Sequence, residues 1–154
     1  MEIVTRQRSR DSRADRYRRL WQVSNRIESA ALRYLGASGL ALAGRRTVLV
    51  LETTGRRTGL TRRTPVAYWR GGDGTLFIGG GAAGMSRVDW VANLRANPAA
   101  AVWIGRRRHL VTATELHGDA SEQARRHVFA KWPETARYER MSGRPIPYFR
   151  LDPV

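Results

Sequence analysis

The chain has no cysteine, a single lysine (Lys131) and three histidines, His109, His117 and His127. The missing cysteines exclude disulfides, thiolate metal ligands and a cysteine nucleophile. Three scattered histidines are too few for a zinc centre, so no metal is expected. No apolar run reaches the ~18 residues that a membrane span requires. The first residues carry arginines but no apolar stretch of the kind a secretory signal needs, and the expectation is a cytoplasmic protein. Acidic residues are scarce too: 13 stand against 28 Lys and Arg, for a net charge of +15. That surplus implies an anionic partner, whether nucleic acid, anionic lipid or a polyanionic small molecule. The cations are almost all arginine, and Ala and Gly are plentiful. Codon bias in a GC-rich genome would have the same effect, so not every arginine needs a functional reason.

At 154 residues the chain suits one domain with a core of its own. Residues 1–13, with Arg6, Arg8, Arg10 and Arg13, predict a mobile basic tail. Residues 14–154 then form a single domain. From Asp15 to Leu35 the residues Leu20, Val23, Ile27 and Tyr34 recur at helical spacing, opposite Arg16, Arg19, Arg26 and Arg33. Such a helix packs on the domain with its charges in water, or lies on an anionic membrane surface with Trp21 at the interface.

What organises the rest is the run from Thr47 to Trp69. Two strand-like segments flank Thr54-Gly55-Arg56-Arg57-Thr58-Gly59, the pattern of a β-hairpin. Between Glu52 and Asp73 there is no acidic residue, whereas Arg56, Arg57, Arg62, Arg63 and Arg70 all fall there. Glycines admit close backbone approach, threonine hydroxyls add donors, and guanidinium forks match paired oxygens of a phosphate or carboxylate. The plain alternative is a solvated turn in an arginine-rich protein. The composition favours an anion site without naming the anion.

Further along, Gly79-Gly80-Gly81-Ala82-Ala83-Gly84 has the spelling G-x-G-x-x-G after a strand. The context rejects a dinucleotide fold: the following helix is short, the next strand ends without an acidic residue, and the strands come as hairpins. A Gly-rich loop opening a helix still favours an anion or an electron-rich ring edge at its N–H groups. Ser86-x-x-Asp89 resembles a capping box. Ala100–Ile104 with Arg108–Glu115 reads as another hairpin, Ser121–Lys131 and Thr135–Met141 as helices, and Tyr148–Leu151 as a last strand. Consecutive antiparallel strands with a few helices predict an α+β, mainly β domain built on a small barrel. A nucleic-acid reading, motivated by charge alone, lacks a helix-turn-helix, an RNA-binding motif or stacking aromatics, so no specific nucleic acid is expected.

Three motifs carry a resemblance. The run Thr53-Thr54-Gly55-Arg56-Arg57-Thr58-Gly59-Leu60-Thr61-Arg62-Arg63-Thr64-Pro65-Val66 is similar to T-T-G-R-K-S-G-x-x-R-x-x-P-[LV]. Trp90-Val91-Ala92-Asn93-Leu94-Arg95-Ala96-Asn97-Pro98 answers W-x-x-N-L-x-A-[ND]-P. Tyr138, Ser142, Arg144, Ile146, Pro147, Leu151, Asp152 and Pro153 match a closing Y-x-x-x-[TS]-x-R-x-I-P-x-x-x-L-[ED]-P. Residues 47–154 thus resemble the deazaflavin-dependent nitroreductase family, which uses coenzyme F420. The resemblance implies a split β-barrel of about six antiparallel strands with an N-terminal helix and peripheral helices. It implies a coenzyme with an anionic phosphate and oligoglutamate tail, and hydride transfer to a quinone, an enone or a nitro compound. The coenzyme-binding residues so implied are Thr54, Gly55, Arg56, Arg57, Thr58, Gly59, Arg62, Thr64, Pro65, Val66, Gly80, Gly81, Ala82, Trp90 and Asn93. Tyr138 and Tyr68 are candidate proton donors to the product, and each is equally read as a core or rim residue. Flavin mononucleotide is the alternative cofactor, and a homodimer is compatible with the fold. The chain departs from many members at Arg87-Val88 and Val91-Ala92, where they carry His-Pro and Tyr-His. It departs again at Trp132 or Thr135, where they carry a lid tyrosine.

Overall fold

A computed structural model describes residues 47–79 and 88–154. The tail, the 15–35 helix and most of the Gly79–Gly84 stretch lie outside the described residues. Six strands close into an antiparallel barrel: β1 (Val48–Thr54), β2 (Thr61–Arg70), β3 (Leu76–Gly79), β4 (Ala99–Ile104), β5 (Arg107–Glu115) and β6 (Tyr148–Pro153). Around the barrel the order is β1-β2-β3-β6-β5-β4, with β4 paired back to β1. The last strand slots between β3 and β5, so the closing motif of the sequence is what completes the barrel. The fold is the split β-barrel with peripheral helices that the motifs predict.

Period-2 alternation sorts the side chains. Leu49, Leu51, Val66, Tyr68, Ile78, Val102, Val111, Phe149 and Leu151 point inward and are buried together. A fully buried Leu, Ile or Val contributes about 1.5–3 kcal/mol, against about 0–1 kcal/mol for an exposed ion pair. This interior, not the many arginines, therefore holds the fold.

Helix α1 (Asp89–Ala96) joins β3 to β4, which are not neighbours, and so crosses one end of the barrel. Trp90, Val91 and Leu94 enter the interior cluster, with the Trp90 ring 5.8 Å from that of Phe149. The helix begins later than a Ser86 cap would place it. Val88 occupies the N-cap position without a side-chain cap, and Asp89 stands in the first turn, where its charge suits the helix dipole. The capping-box reading is thereby corrected. Asn97 closes the helix through its N–H to the Asn93 carbonyl at 2.8 Å, before Pro98.

Helices α2 (Gly118–Lys131) and α3 (Glu134–Ser142) form an outer layer. Ala124, Val128 and Trp132 pack with Trp69, Ile146 and Tyr148, outward-facing counterparts of the barrel core. Trp69 stacks on Phe77 at 5.5 Å and meets the edge of Tyr148 at 6.0 Å. Tyr148 also explains Gly79: a Cβ there would lie 2.9 Å from the tyrosine ring.

Candidate functional site

The arginine loop, residues 55–60, sits at the barrel end that α1 crosses, and its shape is set by its own backbone. Gly55 donates to Leu60 O at 2.8 Å, Gly59 to Gly55 O at 2.7 Å, and Thr58 to Gly55 O at 3.2 Å. Thr58 Oγ1 accepts from Leu60 N at 3.3 Å and from Arg62 Nη2 at 3.4 Å. Gly59 is left-handed, at φ 67, a conformation that costs a residue with a Cβ. Gly55 is needed for space: a Cβ there would stand 2.8 Å from Thr58 Oγ1 and 3.1 Å from Leu60 O. Both glycines thus serve the loop's own fold before any ligand arrives.

Its two adjacent arginines have opposite environments. Arg56 turns back onto α1. Its N–H donates to Asn93 Oδ1 at 3.1 Å, and its Nη1 lies 3.3 Å from both Asn93 Oδ1 and Asp89 Oδ1. Its side chain is only 19% exposed. Arg57 is exposed, and among the described residues neither its N–H nor its guanidinium has a partner. Arg62 is exposed and holds only the long contact to Thr58. Every other loop amide from Gly55 to Leu60 is taken, so Arg57 supplies the free N–H. One open amide with two open guanidiniums is a donor set for a phosphate or carboxylate.

The remaining predicted site residues fall into three places. Thr54 ends β1, and Thr64 and Pro65 are half-buried on β2 beside the buried Val66. Trp90 and Asn93 are buried on α1, at 5% and 4% exposure. Gly80, Gly81 and Ala82 lie outside the described residues. Of the tyrosines, Tyr68 belongs to the barrel interior. It stands about 20 Å along β2 from Arg62 at ~3.3 Å per residue, so only an elongated ligand meets both. Tyr138 is half-buried on α3, beside Glu139, whose carboxylate accepts from Arg125 Nε at 3.0 Å.

Residues missed by sequence reasoning are Asp89 as a partner of Arg56, and Thr53 as an acceptor for Asn93 Nδ2 at 3.2 Å. A signal existed: Asp89 and Asn93 are four apart, hence on one helix face, while Trp90 and Leu94 share another. Tyr148 was read only as strand. Its hydroxyl is buried without a partner among the described residues, and burial, reinforced by Glu139, pushes its phenol up.

A closed six-strand barrel, capped by a helix and carrying an open arginine loop at that end, defines a split-barrel cofactor-binding domain. A family profile described as F420H(2)-dependent quinone reductase matches residues 24–153. An F420H(2)-dependent quinone reductase of Mycobacterium tuberculosis (strain ATCC 25618 / H37Rv) is 30% identical over 115 residues, covering 73% of this chain and 77% of its own. Among solved structures, an F420-H2 dependent reductase, FDR-A, aligns with TM-score 0.60 and 26% identity over 68% of this chain and 93% of its own. A chain described as a domain-swapped dimer shares the fold, with TM-score 0.62 and 24% identity over 82% of this chain and 96% of its own. The chain belongs to the F420H(2)-dependent quinone reductase family. Its cofactor is coenzyme F420 and its class is oxidoreductase.

Proposed function

We propose that this chain reduces a quinone with reduced coenzyme F420, and that Arg57 and Arg62 hold the coenzyme's anionic tail. The observation that carries the reading is the open donor set at Arg57: an N–H unpaired among the described residues and an exposed guanidinium, on a loop whose other amides are bonded. Thr54, Gly55, Thr58 and Gly59 keep that loop rigid, so little ordering entropy is lost on binding. Thr64, Pro65 and Val66 follow on β2 and, with Gly80, Gly81 and Ala82, complete the proposed coenzyme-binding set. When bound, the reduced deazaflavin supplies the hydride, and the protein orients it and excludes wrong acceptors.

The chain's own part in the chemistry is a proton for the reduced acceptor. Tyr138, half-buried on α3, and Tyr68, at the inner wall, are the two proposed donors. Solvent is the third source. A second copy of the chain is the proposed macromolecular partner, as a structure of the same fold is described as a domain-swapped dimer. The arginine loop would also accept the phosphate of flavin mononucleotide, and it is the family match that favours coenzyme F420.

The test is direct. Reduced F420, a soluble quinone and the protein are mixed, and recovery of the oxidised coenzyme's absorbance is followed. Protein-dependent oxidation is expected with the quinone. Oxidation no faster than without protein, with enone and nitro acceptors equally inert, would leave a coenzyme binder without this activity.

A further inference from the structure

Asn93 is buried, polar and placed where α1 meets the arginine loop. Its Oδ1 takes two donors from one residue, the N–H of Arg56 at 3.1 Å and its Nη1 at 3.3 Å. Its Nδ2 donates to Thr53 Oγ1 at 3.2 Å, on the penultimate residue of β1 before the loop. Asp89, one helical turn earlier, adds a carboxylate to the same guanidinium at 3.3 Å. One side chain therefore ties the loop's entry, its second residue and the capping helix together.

We infer that Asn93 and Arg56 are positioning residues, which do not touch the coenzyme but clamp the loop so that Arg57 faces outward. Three facts support this. Arg56 has its N–H and its Nη1 committed to α1, and is 19% exposed. Asn93 has both its oxygen and its amide group in use and is 4% exposed. Successive residues of a tight turn point to different sides, so fixing Arg56 onto α1 decides where Arg57 goes. If the clamp opened, Asn93 Oδ1 would be left buried and unpaired, a penalty that keeps the loop closed. The inference rests on the coenzyme reading for its consequence, though not for its geometry.

The chemistry also predicts which substitutions are tolerated. An aspartate at 93 still accepts from both Arg56 groups, and the Thr53 hydroxyl can rotate to donate to it. A leucine of similar size offers neither contact. Asn93→Leu and Asn93→Asp are compared with the unaltered protein in two ways. The first is amide hydrogen exchange of residues 55–60 without coenzyme. The second is affinity for oxidised F420 over a range of salt. Asn93→Leu should speed exchange at Arg56, Thr58 and Gly59 and weaken binding roughly tenfold, the scale of one lost hydrogen bond to a charged group. Its salt slope should be unchanged, because no contacting charge is removed, whereas Arg57→Ala should flatten the slope. Asn93→Asp should restore both readouts.

Weaker binding by Asn93→Leu with unchanged loop exchange would make Asn93 a direct ligand and overturn the inference. Unchanged exchange and unchanged affinity would overturn it as well. If Asn93→Leu does not fold, Arg56→Met probes the same clamp from the loop side: it should flatten the salt slope only if Arg56 is itself a ligand, which would refute the proposal. Failure of the unaltered protein to bind F420 would sink the coenzyme reading and leave the exchange result standing.

Discussion

Glu52 and Trp103 meet on the outside of the barrel, the indole N–H of one donating to the carboxylate of the other across β1 and β4. The same carboxylate receives Arg63 Nε from β2 at 3.2 Å and Arg108 Nη2 from β5 at 3.3 Å. One acidic side chain thus joins four consecutive strands. Glu52→Gln should lower stability by roughly 1.5–3 kcal/mol, the scale of hydrogen bonds to a charged group. Its Tm should fall with no change in coenzyme affinity at a temperature where the variant is folded. Denaturant unfolding alongside a binding titration checks both halves.

The same carboxylate sets a pH dependence. Burial pushes Glu52 up, but the bonds from Trp103, Arg108 and Arg63 outweigh it and hold it below its ordinary 4.5. Glu115 is also held low, chiefly by its hydrogen bonds with Arg95 at 2.8 and 2.6 Å and against burial. A carboxylate depressed in the folded state binds fewer protons there than in the unfolded chain. Its contribution is therefore present above the unfolded value and lost as pH falls through the folded one. Tm should be flat from neutral pH down to about 5 and drop below that. A series of melts should show a shallower acid drop for Glu52→Gln.

Much of this was legible in advance, for reasons that differ by element. Alternation up to Trp69 marks the second strand of the hairpin because one of its sides faces the core. The first reads as an apolar run because Val50 and Glu52 are buried as well as Leu49 and Leu51. The T-T-G-R motif located the loop because glycines and a tight turn have few sequence solutions. What stayed hidden was tertiary pairing. Adjacent Arg56 and Arg57 look alike in sequence, and only the position of Asn93 separates a clamped guanidinium from an open one. Trp90 packs in the core cluster because α1 crosses the barrel end, a placement the motif alone does not give. Glu52 gave no sign that it would meet arginines 11 and 56 residues away.

Gly55→Ala should be among the most damaging single changes in the loop. The added methyl displaces Thr58 Oγ1, which then loses the Leu60 N–H and Arg62, and it also crowds the Leu60 carbonyl. F420 affinity should fall by tenfold or more, about 1.4 kcal/mol. Gly72, where a Cβ meets nothing within 4 Å, is the control: Gly72→Ala should leave affinity unchanged in the same titration.

Tyr148→Phe should not destabilise the protein. Its hydroxyl is buried without a partner among the described residues, so removing it deletes a desolvation penalty of about 1–3 kcal/mol and leaves the ring contacts with Trp69 intact. Tm should hold or rise by a few degrees. A clear fall would show that an internal water bonds the hydroxyl.

Tyr138→Phe separates chemistry from binding. If Tyr138 gives the proton, turnover with a quinone slows while F420 affinity holds, the pattern of a group acting during or after transfer. Tyr68→Phe tests the other donor by the same split. Silence of both assigns the proton to solvent.

The central claim, that the Arg57–Arg62 donor set is built for the tail of F420, is tested most directly by titrating the coenzyme-free protein with oxidised F420 and with flavin mononucleotide at several salt concentrations. The account predicts tighter binding of F420 and weakening as salt rises. It also predicts a loss of roughly 1.5–3 kcal/mol in Arg57→Ala, with apo Tm unchanged. Equal or tighter binding of flavin mononucleotide, or F420 binding indifferent to both salt and Arg57, would contradict it.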